Sequence, residues 1–453
     1  MKSINPATGE TIADYEEHSS GQVSEIVDRA HDRFVEWRST SFDERAKLLR
    51  KAAEELENRK EDLARLMAEE MGKPMAGGRG EVEKCAWVCR YYAENAETFL
   101  ADEHIATDRS KSYVHYEPLG VILAVMPWNF PLWQVIRFAA PALMAGNTCV
   151  LKHASNVTGC ALAIEEIFEA AGLPEGCFST LVISSSKVAE VIENPKVAAV
   201  TVTGSDAAGR AVASKAGENL KKAVLELGGS DPSIILEDAD LDAAAAACST
   251  GRLINSGQSC IAAKRFVVHE AVYDEWLEKF TQQMKSTAMG DPMDDATVIG
   301  PMARSDLRDE LHDQVERSVE AGAKVHIGGE VPEGAGAFYP PTILTDVAPG
   351  MPAYHEELFG PVASVIKVGS EEEAIRVAND TEFGLGAAVY TRDVERGEKL
   401  AARFVDAGSV FVNAFVASDP RLPFGGVKTS GYGRELSEMG IKEFVNAKTV
   451  VVA

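Results

Sequence analysis

Five short segments of this chain hold residue types that could do covalent chemistry. Asn255-Ser256-Gly257-Gln258-Ser259-Cys260 sets one cysteine in a small polar turn, just after the alanine-rich helical run Ala243 to Cys248. A thiol in such a turn can be exposed and aimed, and it attacks as the thiolate, which needs electropositive help. In Pro127-Trp128-Asn129-Phe130-Pro131 two prolines fix a turn. Read structurally it is a rigid aromatic turn; read chemically, the Asn129 amide could donate to an oxyanion. Leu151-Lys152-His153-Ala154-Ser155 sets a cation and a hydroxyl at a strand end, either a solvated lysine or a contact for ribose or phosphate. Thr203-Gly204-Ser205-Asp206-Ala207-Ala208-Gly209 is a strand–glycine–helix junction suited to a pyrophosphate, without the G-x-G-x-x-G spacing. Leu225-Glu226-Leu227-Gly228-Gly229 sets a glutamate between leucines. That carboxylate is either paired with a nearby base or desolvated, and a desolvated carboxyl has the raised pKa of a general base. Each segment alone is ambiguous. Together they supply a thiol, a carboxylate, an amide donor and two ribose or phosphate turns, which describes covalent thiol catalysis with oxidised nicotinamide.

The elements that must position these groups follow from the hydrophobic pattern. Val23, Ile26, Val27, Ala30, Phe34 and Trp37 recur on one helical face. A second helix is expected over 43–71 with Asp43 as N-cap and Gly72 and Pro74 as the stop, and a third from about Glu81 to Leu100. From 120 to 225 short apolar runs alternate with helical stretches: strands at Val121–Met126, Thr148–Leu151, Val197–Thr203 and Lys222–Leu225, helices at Leu132–Ala145, Gly159–Ala171 and Ala207–Ala216. Such alternation means βαβ units and a parallel sheet, with ligands at the carboxyl ends of its strands. A second alternating block covers about 230–425, with strands at Ile234–Leu236, Arg265–Val268, Val362–Val368, Ala387–Tyr390 and Ser409–Val412. The β-rich tail ending in Thr449-Val450-Val451-Val452 has no sequence neighbour to pair with and is expected on another sheet edge, such as another subunit's.

Composition bounds the partners. The 453 residues suggest two or three domains. A net charge of −25 argues against nucleic acid, whose binding rests on Lys and Arg. It reads as a well-solvated surface or as adaptation to a salty cytoplasm. The seven cysteines are odd in number and form no C-x2-C pair, and no H-x3-H pair occurs among the nine histidines. No disulfide framework and no metal are expected, and the thiols point to a reducing, cytoplasmic setting. No signal peptide is read at the start, and no apolar run approaches the ~18 residues that span a bilayer.

With these motifs in hand, the chain resembles the aldehyde dehydrogenase superfamily over essentially its full length. The matching stretches are the five above together with Glu357-Leu358-Phe359-Gly360-Pro361 and Pro423-Phe424-Gly425-Gly426. Within the superfamily it is most similar to succinate-semialdehyde dehydrogenases of a short bacterial branch, through Leu151-Lys152-His153-Ala154 and Leu227-Gly228-Gly229-Ser230-Asp231-Pro232. The resemblance implies an α/β fold: a Rossmann-type cofactor domain over 1–99 and 119–227, an α/β catalytic domain over 228–425, and a small β oligomerisation domain from 100–118 and 436–453. It implies a homodimer or homotetramer. Cys260 would attack the aldehyde carbon, the Asn129 amide and the Cys260 backbone N–H would hold the oxyanion, and Glu226 would activate the hydrolytic water. Trp128, Lys152, Ser155, Gly204, Ser205, Gly209, Leu227, Glu357 and Phe359 would line the cofactor.

Local details refine the resemblance. Many NAD-preferring relatives carry a glutamate at the place of Ser155; a serine there removes the repulsion of a 2'-phosphate, so NADP is favoured over NAD. Arg137 sits where semialdehyde-acid relatives place an arginine for the substrate carboxylate, a contact suited to bidentate pairing, unless it is a surface helix arginine. Trp133 and Ser418 are further tunnel-lining candidates. Some relatives have a second carboxylate-binding arginine where this chain has Ile254, and a resolving cysteine where it has Ala262. The alternatives are a broad aliphatic or betaine-type aldehyde dehydrogenase and, from another class, a catalytically silent structural homologue. A CoA-acylating enzyme is disfavoured by Glu226.

Overall fold

The computed structural model describes residues 1–453. A short antiparallel hairpin, β1 (Lys2–Ile4) and β2 (Thr11–Asp14), leads into α1 (Ser20–Trp37). Ser19 and Gln22 form a capping box at its start, and the six apolar residues read from the sequence are its buried face. The single helix expected over 43–71 is two, α2 (Phe42–Asn58) and α3 (Lys60–Met71), parted at Arg59, where φ is −100° and ψ 13°. The N-cap is Ser41 rather than Asp43: its hydroxyl accepts from the Glu44 N–H while the Glu44 carboxylate accepts from the Ser41 N–H. Asp43 falls in the first turn, where negative charge suits the helix dipole. The next helix, α4 (Met75–Phe99), starts at Met75 rather than near Glu81. Glycines 77, 78 and 80 disfavour a helix locally, but packing wins: a Cβ on Gly78 would lie 2.9 Å from Ala64 Cα, so only glycine lets α4 close on α3.

After β3 (Glu103–His104) and β4 (Lys111–Pro118) come the βαβ units: β5 (Val121–Met126), α5 (Trp133–Ala145), β6 (Thr148–His153), α6 (Thr158–Ala170), β7 (Phe178–Thr180), α7 (Val188–Glu193), β8 (Val197–Thr203), α8 (Asp206–Glu218) and β9 (Lys222–Glu226). The five strands β5–β9 make a parallel sheet in the order β9-β8-β5-β6-β7. Its strands are buried on both faces. Ile122 and Ala124 face the core built with α2–α6, while Val121 and Leu123 face the core built with α1, α7 and α8. The strand order reverses between β5 and β8, the switch point at which open parallel sheets bind ligands.

The second block begins with β10 (Pro232–Ile235), α9 (Leu241–Leu253) and β11 (Arg265–His269), and continues through β12 (Lys324–Ile327), β13 (Thr342–Thr345), β14 (Val362–Val368), β15 (Gly386–Tyr390) and β16 (Ser409–Val412). These form a seven-stranded sheet in the order β12-β13-β14-β11-β10-β15-β16, parallel except at β12. β12 and β13 escape the pattern reading because each is four residues long and β12 is mostly exposed. A two-residue strand, β17 (Gly431–Tyr432), returns to the first sheet and pairs antiparallel with β9, Gly431 opposite Glu226. The terminal strand β18 (Val445–Val452) adds to a sheet edge of its own chain. It pairs with β4, from Val445 opposite Pro118 to Val452 opposite Lys111, leaving its outer side as the edge of a three-stranded sheet. No helix is long and apolar enough to cross a membrane.

Gly431 has φ 115°, and a Cβ there would lie 2.1 Å from the Leu225 carbonyl oxygen. Gly431→Ala is expected to push β17 off β9 and to destabilise the fold by about 1–3 kcal/mol, read as a lowered midpoint in urea unfolding; an unchanged midpoint would show that β17 does not hold β9.

Candidate active site

Cys260 is reached through three consecutive residues of positive φ: Asn255 at 54°, Ser256 at 56° and Gly257 at 76°. Two are non-glycine, a conformation that persists only when its surroundings impose it. They do so on every side. Asn255 Nδ2 donates to the carbonyls of Asn129 (2.7 Å) and Gln258 (3.0 Å). Ser256 Oγ accepts from the Gly300 N–H and Gln258 Oε1 from the Ala303 N–H. Buried Arg252 donates to the Gly257 carbonyl at 2.7 Å. A Cβ on Gly257 would lie 2.3 Å from the Gly360 carbonyl carbon, so the glycine lets the 357–361 segment seat against the loop. Lys264, fully buried, donates to the carbonyls of Ser259 (2.8 Å) and Cys260 (2.6 Å) and pairs with Glu357 at 3.2 Å.

All seven cysteines are unpaired, and Cys260 alone is not buried. Desolvation pushes its thiol up to about 12, against the pull of Lys264 and Arg137. In the free protein the sulfur is therefore a thiol, and its proton must leave as the nucleophile forms.

The Asn129 turn is pinned to α4. Glu81 Oε1 accepts from the N–H groups of both Leu132 and Trp133 at 2.9 Å, and Glu81 is in buried ion contact with Lys73. Asn129 Nδ2 donates one hydrogen to the Gln258 carbonyl at 3.1 Å, which leaves its second hydrogen for another acceptor.

Glu226 closes β9 one residue later than the sequence pattern indicated. It is buried, and neither carboxylate oxygen has a hydrogen-bond partner. Gly425 leaves room for it: a Cβ there would lie 2.7 Å from Glu226 Oε1. Burial, and next the neighbouring Glu435, push its pKa well above the usual carboxylate range, while Arg137 opposes them. Glu435 is itself raised by burial and is in direct ion contact with Arg137. Arg434 also opposes the rise at Glu226, and burial is the largest influence on both carboxyls.

Two cavities meet at this point. One, of about 460 Å³, is lined by Trp128, Asn129, Gly204, Ser205, Leu227, Glu357 and Phe359, with Cys260 at its end. Trp128 and Phe359 stand edge to face, ring centroids 5.7 Å apart. Ser205 caps α8, its hydroxyl accepting from the Ala208 N–H, so a helix N-terminus opens onto this cavity. Lys152 is buried at the end of β6 with no ion-pair or hydrogen-bond partner, and burial lowers its pKa: an ammonium that lacks acceptors. Ser155 is exposed at the start of the following turn. Neither Lys152 nor Ser155 lines this cavity, whose helix N-terminus and aromatic wall fit a dinucleotide. Gly209 does not line it either. It is buried under Leu227, where a Cβ would lie 2.5 Å from the leucine methyls, so its role is helix–strand packing. No group of His, Cys, Asp and Glu is placed to hold a metal ion.

The other cavity, of about 640 Å³, is lined by Trp133, Arg137, Ser418 and Cys260, and also by Lys84. The two cavities share only Gln134 and Cys260 among their lining residues. Glu226 lines neither. Arg137 is not a surface arginine: it is buried, in contact with Glu435, stacked over the Phe424 ring at 4.8 Å, and 3.5 Å from Thr203 Oγ1. It nonetheless lines the cavity that reaches Cys260. Lys84, Gln134 and Glu435 were absent from the sequence reading. Glu435 had a signal, a carboxylate in the glycine-rich run that follows Gly425-Gly426; Lys84 and Gln134, inside long helices, had none.

Because six thiols are buried, a small alkylating reagent is expected to modify one equivalent per chain in the folded protein, at Cys260, slowly at neutral pH and faster as pH rises toward the thiol's raised pKa. Peptide mass mapping checks this; labelling spread over several cysteines would contradict the burial pattern.

Comparison with known proteins agrees with this geometry. The model of the "Aldehyde dehydrogenase family" matches residues 1–450. A Synechocystis sp. protein named "Probable succinate-semialdehyde dehydrogenase [NADP(+)]" is 52% identical over 453 residues, covering 100% of both chains. Succinate-semialdehyde dehydrogenase [NADP(+)] 1 of Mycobacterium tuberculosis is 51% identical over 459 residues, again with 100% of each chain covered. The crystal structure of succinic semialdehyde dehydrogenase from Streptococcus pyogenes, in complex with NADP+, superposes with a TM-score of 0.97 at 39% identity, covering 100% of this chain and 99% of that one. The chain belongs to the aldehyde dehydrogenase family.

Proposed function

We propose that this protein oxidises succinate semialdehyde, a short aldehyde acid, to the dicarboxylic acid, with NADP as the favoured cofactor over NAD. Full-length similarity at about half identity to enzymes named for that reaction supports the substrate and cofactor. The single observation that carries the chemistry is Cys260, half-buried at the junction of two cavities, one fitted for a dinucleotide and one open for a substrate.

Cys260 Sγ gives its proton to solvent and bonds to the aldehyde carbon, and the carbonyl oxygen takes the electron pair of the C=O bond as developing charge. The free hydrogen of the Asn129 amide and the Cys260 backbone N–H receive that charge. When bound, the nicotinamide supplies the hydride acceptor that lets the adduct become a thioester. Glu226 then takes a proton from water, whose oxygen attacks the thioester carbon; the C–S bond breaks and the acid and the thiol are released. Lys152 and Glu357 hold ribose hydroxyls, Ser205 the pyrophosphate, and Phe359 packs beside the nicotinamide ribose. In this reading 1–99 and 119–227 carry the cofactor, 228–425 carries the nucleophile, and 100–118 with 436–453 makes a subunit contact in a homodimer or homotetramer. The open edge of β18 supports the last point, and the seven unpaired thiols support a cytoplasmic setting. The net charge of −25 speaks against nucleic acid as a partner.

Four measurements test this reading. Purified protein is expected to show a kcat/KM for succinate semialdehyde over butanal of ~10-fold or more, about 1.4 kcal/mol of discrimination. Equal values would favour the broad-specificity alternative, and no reduction with any aldehyde would favour the silent homologue. Ser155→Glu is expected to move the NADP/NAD ratio of kcat/KM toward NAD by about 10-fold, through repulsion of a 2'-phosphate. Glu226 works as a base only when deprotonated, and its pKa is raised. Thioester hydrolysis is therefore expected to fall as pH drops through a pKa above the ordinary carboxylate range. Glu226→Gln is expected to leave a pre-steady-state burst of reduced cofactor and to slow turnover by ~10² or more; a full steady-state rate in that variant would remove Glu226 from the mechanism.

A further inference from the structure

Five charged side chains line the larger cavity: Lys73, Glu81, Lys84, Arg137 and Asp295. Four are matched. Lys73 and Glu81 pair with each other, Asp295 pairs with Arg79 at 2.6 Å, and Arg137 contacts Glu435. Arg137 also acts on buried Glu226, opposing the rise of its pKa. Ile254, on the same wall, brings no charge.

Lys84 differs. It projects from α4, half-buried, and makes no ion pair. Its ammonium donates one hydrogen bond, to Ser418 Oγ at 2.7 Å, and lies 4.5 Å from the centre of the Trp133 ring. An ammonium has three donors and this one uses a single neutral acceptor. Trp133 and Ser418 hold it from either side without neutralising it. Such a cation in a partly desolvated cavity favours an anion far more than an equivalent exposed lysine would.

We propose that Lys84, steadied by Ser418 and Trp133, is a further specificity-determining residue that binds the carboxylate of the aldehyde substrate. The assignment rests on the reading that the substrate is an aldehyde acid. Burial, and next the Arg137 charge on α5, lower the Lys84 pKa to about 8; Cys85 and Glu81 on its own helix and Asp419 beside Ser418 pull the other way, and Asp419 is itself paired with Arg421. The ammonium is thus present below that pH and lost above it. Preference for the charged substrate declines as pH rises through about 8, while the reaction with an uncharged aldehyde does not follow that titration.

The test compares succinate semialdehyde with butanal on wild type, Lys84→Met, Lys84→Arg and Ser418→Ala. Lys84→Met is expected to lower the ratio of the two kcat/KM values by ~10-fold or more, mainly through KM for the semialdehyde. Lys84→Arg is expected to keep most of that ratio and to move its pH midpoint upward, since a guanidinium stays charged. Ser418→Ala is expected to lower the ratio less than Lys84→Met. A wild type that does not prefer the semialdehyde would overturn the aldehyde-acid reading and this assignment with it. A wild-type preference that survives in Lys84→Met would overturn the assignment alone. So would a ratio in Lys84→Arg no better than in Lys84→Met.

Discussion

The backbone leading into Cys260 is held in a conformation that its own residues would not choose, and the two halves of the molecule are fastened together to hold it there. Asn255 and Ser256 at positive φ are costly. The bonds that stabilise them come from the first sheet through Asn129, from the 300–303 segment, and from Arg252 and Lys264 beneath the loop. Lys264 also ties the loop to Glu357, whose Oε1 accepts from the Gly229 N–H at 3.0 Å. The nucleophile, the cofactor wall and the Leu225–Gly229 turn therefore share one hydrogen-bonded frame, and a shift in any one is felt at the sulfur.

Charge inside that frame is scarce and unevenly distributed. Glu226, Glu435 and Arg137 are all buried, so their ionisation is a joint property rather than three separate ones. Burial and the Glu435 charge favour the neutral form of Glu226, Arg137 and Arg434 oppose them, and burial pushes the Cys260 thiol up as well. Each shift limits the cost of burying an unpaired charge.

The chemistry was legible in the sequence where a residue type and a turn coincide. Asn129, Gly204, Ser205 and Glu226 each sit in a short glycine- or proline-bearing segment at a strand end, and strand–helix alternation placed those ends on a parallel sheet; the Cys260 loop instead follows α9. What escaped was long-range. Gly209 belongs to the same motif as Ser205 but spends its missing side chain on Leu227. Arg137 sits on a helix whose pattern says nothing of Glu435. Lys84 lies in a helix with no turn chemistry near it, and only the folded chain brings Ser418 and Trp133 to it. The early start of α4 and the strand β17 are likewise packing outcomes that local propensity opposes or does not register.

The partition between the two cavities also orders the reaction. They touch only at Gln134 and Cys260, so substrate and dinucleotide reach the sulfur from different sides and neither has to leave for the other to enter. Asn129 lines the dinucleotide cavity, which places the oxyanion donor on the side toward which the carbonyl oxygen must point. Glu226 lines neither cavity. Neither of its carboxylate oxygens has a hydrogen-bond partner, and Gly425 leaves room beside one of them. In the proposed reaction Glu226 acts last, as the base for hydrolysis. A carboxyl whose pKa is raised by burial gives up its proton reluctantly, which favours oxidation before hydrolysis on a single cysteine.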